Sequence, residues 1–506
     1  MILTLLQNNR ALPILFALLL IIFSVHLNWP IFSSHPHSIH AWAQADYYAI
    51  AQRFYLDTWN LFEPQSWVMN KQFPYNFETI SNDTLTAGNI AIHPFIVGML
   101  MRLLGSDAPI IYRVYCVLWL IPFFLGIVQI GKTLASDRLV QLMIVIMVGL
   151  SPVLIYYSIN FLNVIPCLGQ TMIGLAFYFS YLKSNERKSW WWAIAILGIT
   201  PLIRTTYVIP LIAVLCTEGL RWLTKQMNFK GYLKQVGGVS IFLGLLAIWF
   251  FWNNKMVEKH DTLFITQLTL ASSWAQIKDT FLMVYERWKG HYFNEIFVYV
   301  YLVIVTLGLI LNRKKLLSNE MAFTVILLIG YILFFMAMIR QFEDHDYYFL
   351  DTFLLPLLLL PLVIWKDYQF IGKYTILTFI ISIFFFTKVR ENAASYHIWR
   401  YNLEFMDPER HHYEVYAGID QYLTDNGISH SEPIFVMTKK SNNLTLMHIR
   451  RNGVIAKWVP EKLFRQAKER KINYFLISKA EVGEEFYPLL KDLKVIDNYG
   501  EVLLMT

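Results

Sequence analysis

Long apolar runs separated by short polar turns dominate the chain. Residues 11–29 are apolar for about the ~20 residues that cross a bilayer. The run exceeds the ~7–15-residue core of a signal peptide and no small-x-small cleavage site follows, so it reads as a first membrane helix. Similar runs occupy 109–132, 139–159, 164–182, 190–203, 207–222, 236–252, 297–311, 322–339, 349–365 and 374–387. Together they predict about eleven spans.

Basic residues set the orientation. Arg10, Lys132, Arg138, Lys183, Arg187, Lys188, Arg221, Lys234, Arg313, Lys314, Lys315 and Lys366 mark alternate turns as cytoplasmic, which puts the N-terminus inside and the C-terminus outside. Three polar stretches then share the outer face: 46–53, 204–206 and 340–348. The first outer loop, 30–108, is rich in Asn, Gln, Pro and aromatics, and its segment 91–104 reads as an amphipathic helix lying in the interface. A second excursion, 253–292, reads as partly helical.

The tail, 391–506, has ordinary charge density. Strand-like runs (434–438, 474–478, 502–505) alternate with helical ones (460–470, 481–490), predicting a small extracytoplasmic α/β domain beyond a membrane domain of residues 1–390. The tail has no Gly-rich phosphate loop, so it reads as a lid or docking module. The expected fold class is mainly α: a polytopic helical membrane protein with interfacial helices in its first outer loop and a small α/β tail.

Composition agrees with that class. Of 506 residues, 56% are hydrophobic and 16% charged, against ~25% charged in soluble domains. The net charge of +7 comes from topology turns and forms no stripe with interleaved aromatics, which excludes nucleic acid as a partner. Cys116, Cys167 and Cys216 lie in apolar runs, unsuited to disulfides or a zinc site.

The candidate chemistry begins with His40-Ala-Trp42-Ala-Gln44-Ala-Asp46-Tyr-Tyr48 and runs on to Arg53. At helical spacing, Trp42, Asp46, Ala49 and Arg53 share one side. A carboxylate at a lipid boundary is costly to desolvate, which makes Asp46 the candidate catalytic group. The plainer reading is an interfacial helix whose Asp46 faces water or pairs with Arg53. Arg204, between two short spans, suits a lipid phosphate or snorkels to the headgroups; Arg113 has the same two readings. The turn from Arg340 through Glu343, Asp344, His345, Asp346, Tyr347 and Tyr348 gathers three carboxylates and an imidazole. Asp344-His345-Asp346 is read either as a short metal-binding motif or as a hydrated turn capping a helix. No cofactor is assigned, and no metal site is predicted. The sequons Asn82-Asp-Thr84 and Asn443-Leu-Thr445 matter only in a secretory pathway that glycosylates them.

Gln44-Ala45-Asp46, His93-Pro94, the Arg113 span, the Leu202-Ile-Arg204 hairpin, and His345-Asp-Tyr-Tyr348 before Pro356 occur in an order that resembles the GT-C class of lipid-dependent glycosyltransferases. The resemblance covers most of residues 1–390 and is nearest to the bacterial branch grouped with protein mannosyltransferases and aminoarabinose transferases. Ala41, Ala43 and Phe95 depart from that pattern. The resemblance implies transfer of one sugar from a polyprenyl-phosphate carrier to a glycan, lipid or protein acceptor. It implies inversion at the extracytoplasmic face of a bacterial plasma membrane, as in cell-envelope glycan biosynthesis. In such chemistry one carboxylate serves as base, here Asp46. Cations such as Arg204 neutralise the leaving phosphate. Trp42, Gln44, Arg53, His93, Arg113, Arg340, His345, Asp346, Tyr347 and Tyr348 are then the candidate substrate-binding residues. The rival class, a transporter or flippase of lipid-linked sugars, predicts ionisable residues at the bilayer midplane and an internal repeat. Neither is evident in the sequence. A scaffold using the outer tail is a third reading.

Overall fold

The computed structural model describes residues 11–71, 78–86, 88–260, 270–369, 374–401, 415–438, 441–457, 460–479 and 486–506. The orienting Arg10 and the first half of the expected helix 481–490 lie outside the described residues.

Six helices are long and apolar enough to cross a membrane: Leu12–Ile31, Pro109–Thr133, Val164–Ser184, Thr205–Leu223, Phe229–His260 and Asn319–Ala337. A seventh crossing results if Trp274–Tyr292 and Glu295–Leu311, bent by 96° at their junction, are taken as one span. The chain is therefore an integral membrane protein, with fewer long spans than the eleven or so apolar runs. The remaining runs are shorter or broken helices. Residues 139–159 form Arg138–Gly149 and Pro152–Tyr157, interrupted where extended Ser151 precedes Pro152, because proline has no N–H to continue the ladder. Residues 349–365 divide into Tyr348–Asp351 and Leu354–Ile364, and residues 374–387 form the start of a 27-residue helix, Thr375–Tyr401. Several helix starts are capped by side chains, Asp137 on Leu139 and Val140, Asn294 on Ile296, and Ser318 on Met321, satisfying backbone donors that have no partner within the helix.

The chain divides into two compact units. The first comprises the described parts of Met1–Phe32, Arg113–Ala247 and Leu268–Arg400; the second those of Ser33–Tyr112, Ile248–Gln267 and Tyr401–Thr506. In the first unit, Leu120–Thr133 packs closely on Val164–Ser184. A Cβ on Gly126 would lie 2.7 Å from that of Met172, so only glycine allows the approach.

The second unit contains a five-stranded sheet of β1 (Ile434–Met437), β2 (Gly453–Ile455), β3 (Tyr474–Ser478), β4 (Val495–Tyr499) and β5 (Val502–Met505). Its order is β2-β1-β3-β5-β4. β1 pairs in parallel with β2 and β3, aligning Phe435 with Val454 and Phe475. β5 runs antiparallel to both β3 and β4. β1, β3 and β5 were legible as apolar runs. β2 has three residues, and β4 is exposed around Asp497 and Asn498, so neither carries that signal. Phe435, Phe464 and Phe475 meet at ring centroid distances of 5.3–5.8 Å over one face.

The outer edge of β2 is covered by the first loop. Val68 bridges Gly453 in parallel. Asn70 donates to the Ile455 carbonyl at 3.0 Å and accepts from the Ile455 N–H at 2.8 Å. An edge strand left open would invite pairing with another chain, and this loop closes it.

Candidate active site

In the second unit, the helix Ala41–Leu56 carries Asp46. His40 precedes it in a left-handed conformation, φ 58°. The Gln44 amide donates back to the carbonyls of His37 at 3.1 Å and Ile39 at 2.9 Å, pinning the connector beneath the first helical turn. Further along, the Tyr48 hydroxyl donates to the Asp107 carbonyl, and Gln52 links Asp107 to the indole N–H of Trp67. On one side lies Ile92–Leu104, the expected amphipathic helix. A Cβ on its Gly98 would stand 2.5 Å from that of Phe54 and 2.9 Å from the Ala51 carbonyl oxygen. Another neighbour is a helix not expected from the sequence, Asn442–Ile449, which lies between β1 and β2.

Asp46 is half-buried. Asn443 Nδ2 donates to its Oδ1 at 2.7 Å, the one hydrogen bond to Asp46 among the described residues. Burial pushes the carboxyl up to about 7 from 3.8, and the Asn443 hydrogen bond opposes that rise. A carboxyl so tuned is ionised or protonated by small changes near neutrality, which suits a general base. Asn443 itself is buried, so the sequon it begins is out of reach of glycosylation in the folded chain.

The other candidates in this unit divide clearly. Trp42 is exposed. Arg53 is engaged by the chain, donating to Gln65 Oε1 and Asn452 Oδ1, pairing with Asp57 at 2.7 Å and stacking over Trp67. His93 is fully buried, and burial holds its imidazole down to about 3, so it is neutral at physiological pH.

In the first unit, Arg204 ends the helix Arg187–Ile203 in extended backbone. Its Nε donates to Asp351 Oδ2 at 2.6 Å, and Tyr207 donates to Asp351 Oδ1 at 3.1 Å. The guanidinium lies 5.1 Å from the Tyr347 ring centroid and 5.7 Å from that of Tyr348. His345, whose Nδ1 is 2.9 Å from the Gln341 carbonyl, packs edge-on against both tyrosines. Arg204, His345, Tyr347 and Tyr348, distant in the chain, are thus brought together. Arg340 is exposed, with no ion pair among the described residues.

The motif Asp344-His345-Asp346 does not converge on one point. Asp344 is exposed and pairs with Arg287 at 3.3 Å. Asp346 is buried, bound by Arg400 and by the Tyr157 hydroxyl, each at 2.6 Å. Two carboxylates spent on different cations do not suit a divalent ion, and no group of three His, Cys, Asp or Glu among the described residues is arranged to hold one.

Arg113 is buried, donating to the Ile159 carbonyl at 3.1 Å and lying over Phe161. The same loop places Asn160 and Asn163 out of solvent, and neither side-chain amide has a hydrogen-bond partner among the described residues. Buried amides without partners are rare and costly. Cys167, one turn beyond Asn163, lies within electrostatic reach of Arg204 and Asp351, which sets this helix start beside the pair. An apolar cavity of about 470 Å³, lined by Phe281, Tyr292, Phe335, Phe342, Phe349 and Phe353 among others, occupies the same unit. Phe342 packs against Tyr348 at 5.4 Å, so the cavity wall adjoins the aromatic patch around Arg204.

Asp351, Tyr157, Tyr207, Arg400, Asn160 and Asn163 were not singled out from the sequence, and Asn443 only as the start of a sequon. Asp351 had a signal: a carboxylate at the mouth of an apolar run. The others had none that local pattern could supply.

No family model and no curated protein matches the sequence. Solved structures do match in fold. The oligosaccharyltransferase of Archaeoglobus fulgidus in its apo form superposes with a TM-score of 0.56 at 9% identity, over 95% of this chain and 71% of that one. The same archaeal enzyme, AglB, in complex with an inhibitory peptide and a dolichol-phosphate gives 0.52 at 9% identity, covering 94% and 70%. The mycobacterial arabinofuranosyltransferase AftD gives 0.52 at 10% identity, over 94% of this chain but only 37% of AftD. The fold is thus one shared with membrane glycosyltransferases of the GT-C class.

Proposed function

We propose that this chain is a membrane glycosyltransferase. It moves one sugar from a polyprenyl-phosphate donor to an acceptor hydroxyl at the extracytoplasmic face, with inversion, in assembly of a cell-envelope glycan. The observation that carries the reading is the apolar cavity adjoining the buried Arg204 patch. An isoprenoid chain needs an apolar slot and its phosphate needs a cation, and these occur side by side. The dolichol-phosphate bound by the archaeal structural neighbour supports a lipid-linked donor.

In the reaction the acceptor oxygen bonds to the anomeric carbon as the bond from that carbon to the phosphate oxygen breaks. The hydroxyl proton passes to the Asp46 carboxylate, and the phosphate leaves with the bonding electron pair. Within the first unit, Arg204 is the candidate cation for a lipid phosphate, with tyrosines 347 and 348 beside it, and the unmatched amides of Asn160 and Asn163 suit sugar hydroxyls or phosphate oxygens. The shorter helices complete about eleven crossings, the N-terminus lies inside, and the tail beyond residue 390 stands outside as a lid or docking module. The likeness to AglB and AftD carries this reading only to the class. The bacterial branch related to protein mannosyltransferases and aminoarabinose transferases remains part of the proposal.

The test is the purified chain in liposomes with its co-purifying lipid, identified by mass spectrometry and supplied with a labelled sugar. Label moved from lipid to acceptor supports the proposal. Movement of the intact lipid across the bilayer without transfer supports a flippase and ends it.

A further inference from the structure

Asn443 donates to Asp46 across 397 positions of sequence. Its own Oδ1 is buried and has no hydrogen-bond partner among the described residues. The residue is 1% exposed, and the Asp46 it holds is half-buried. A side chain that only joined two helices would be served by apolar packing, since a buried amide oxygen left unmatched is destabilising. An amide kept at such a place, with its donor spent on the reacting carboxylate and its acceptor unspent, matches a ligand that brings an O–H.

We propose that Asn443 is a positioning residue of the transfer site, fixing the Asp46 carboxylate through Nδ2 and receiving a hydroxyl of the acceptor on Oδ1. This rests on the glycosyltransferase reading and deepens it. The tail then contributes directly to the chemistry, and the acceptor is a polyol that engages Asp46 with one hydroxyl and Asn443 with another. The Asp46 rotamer is set by a residue of the tail, so folding of the tail and competence of the base are coupled.

The experiment follows the Asp46 carboxyl by infrared difference spectroscopy over pH, using the full chain in lipid with Asp46→Asn as the blank. This needs no substrate. Asn443→Leu removes the donor and raises the Asp46 midpoint by about one to two units. Asn443→Asp is isosteric, yet it puts a second carboxyl on the first and raises the midpoint further. If Asn443 served packing alone, Asn443→Leu would leave the midpoint unmoved. In transfer assays Asn443→Leu also raises the KM for acceptor at pH values where Asp46 is fully ionised. An unmoved midpoint in Asn443→Leu overturns the inference and leaves the glycosyltransferase reading standing. Full transfer by Asp46→Asn overturns Asp46 as base, and with it the role given to Asn443, even where the midpoint shifts are seen.

Discussion

Arg204 and Asp351, 147 positions apart in the chain, form a buried ion pair in which the carboxylate is wholly removed from solvent and also accepts from Tyr207. The guanidinium proposed to meet a phosphate leaving group is thereby held in place. Removing one partner leaves the other charged and unpaired in an apolar setting. Asp351→Ala should therefore cost roughly 3–5 kcal/mol of stability, read as a lowered melting temperature in detergent. Arg204→Met combined with Asp351→Leu should recover most of that stability while transfer stays lost. Retained transfer in the double variant would show that the pair serves the fold alone.

Asp46→Asn should insert and fold normally and lose on the order of 10² to 10⁴ in transfer rate, the usual worth of a positioned base. Rates of the purified variant in liposomes decide this, and near-wild-type turnover removes Asp46 from the mechanism.

The pH dependence follows from the same carboxyl, held up to about 7 by burial against the opposing Asn443 hydrogen bond. A base must be ionised, so transfer should rise with pH through about 7 and level off above it. Stability should run the other way. The folded state keeps this proton to higher pH than the unfolded chain, whose carboxyl titrates near 3.8. The contribution of this group is complete below that value and is lost as pH climbs through about 7. Melting curves of wild type and Asp46→Asn across this window should converge at the acid end and separate at the alkaline end.

Gly98→Ala tests whether the Asp46 helix depends on its close neighbour. The added methyl would stand 2.5 Å from Phe54 Cβ and 2.9 Å from the Ala51 carbonyl oxygen, so the helices must part. A loss of about 1–3 kcal/mol is expected, measured by chemical unfolding, with reduced transfer because Asp46 moves with its helix. Unchanged stability would mean that the contact yields easily.

Leu357→Trp narrows the apolar cavity that Leu357 helps to line. If the cavity takes the isoprenoid chain, KM for the lipid donor should rise about tenfold, the order of ~1–3 kcal/mol for altered apolar fit, with kcat little changed. Equal loss in kcat and no change in KM would place the lipid elsewhere.

What the sequence determined by itself was everything that depends on local periodicity. Apolar runs specified helices such as Val164–Ser184 and strands such as Tyr474–Ser478. The stretch before Tyr48 marked Asp46 as a carboxylate in an aromatic, apolar helix. Length alone could not decide which runs stay unbroken, because Pro152 and the Tyr348–Asp351 turn interrupt helices that hydropathy reads as continuous. The partners were decided only by tertiary structure. Asp351 for Arg204, Arg400 for Asp346 and Asn443 for Asp46 are each separated by 54 positions or more. The physical reason is that a buried charge must be matched wherever the fold brings a group within hydrogen-bonding reach. That choice depends on distances in space and leaves no periodic trace along the chain.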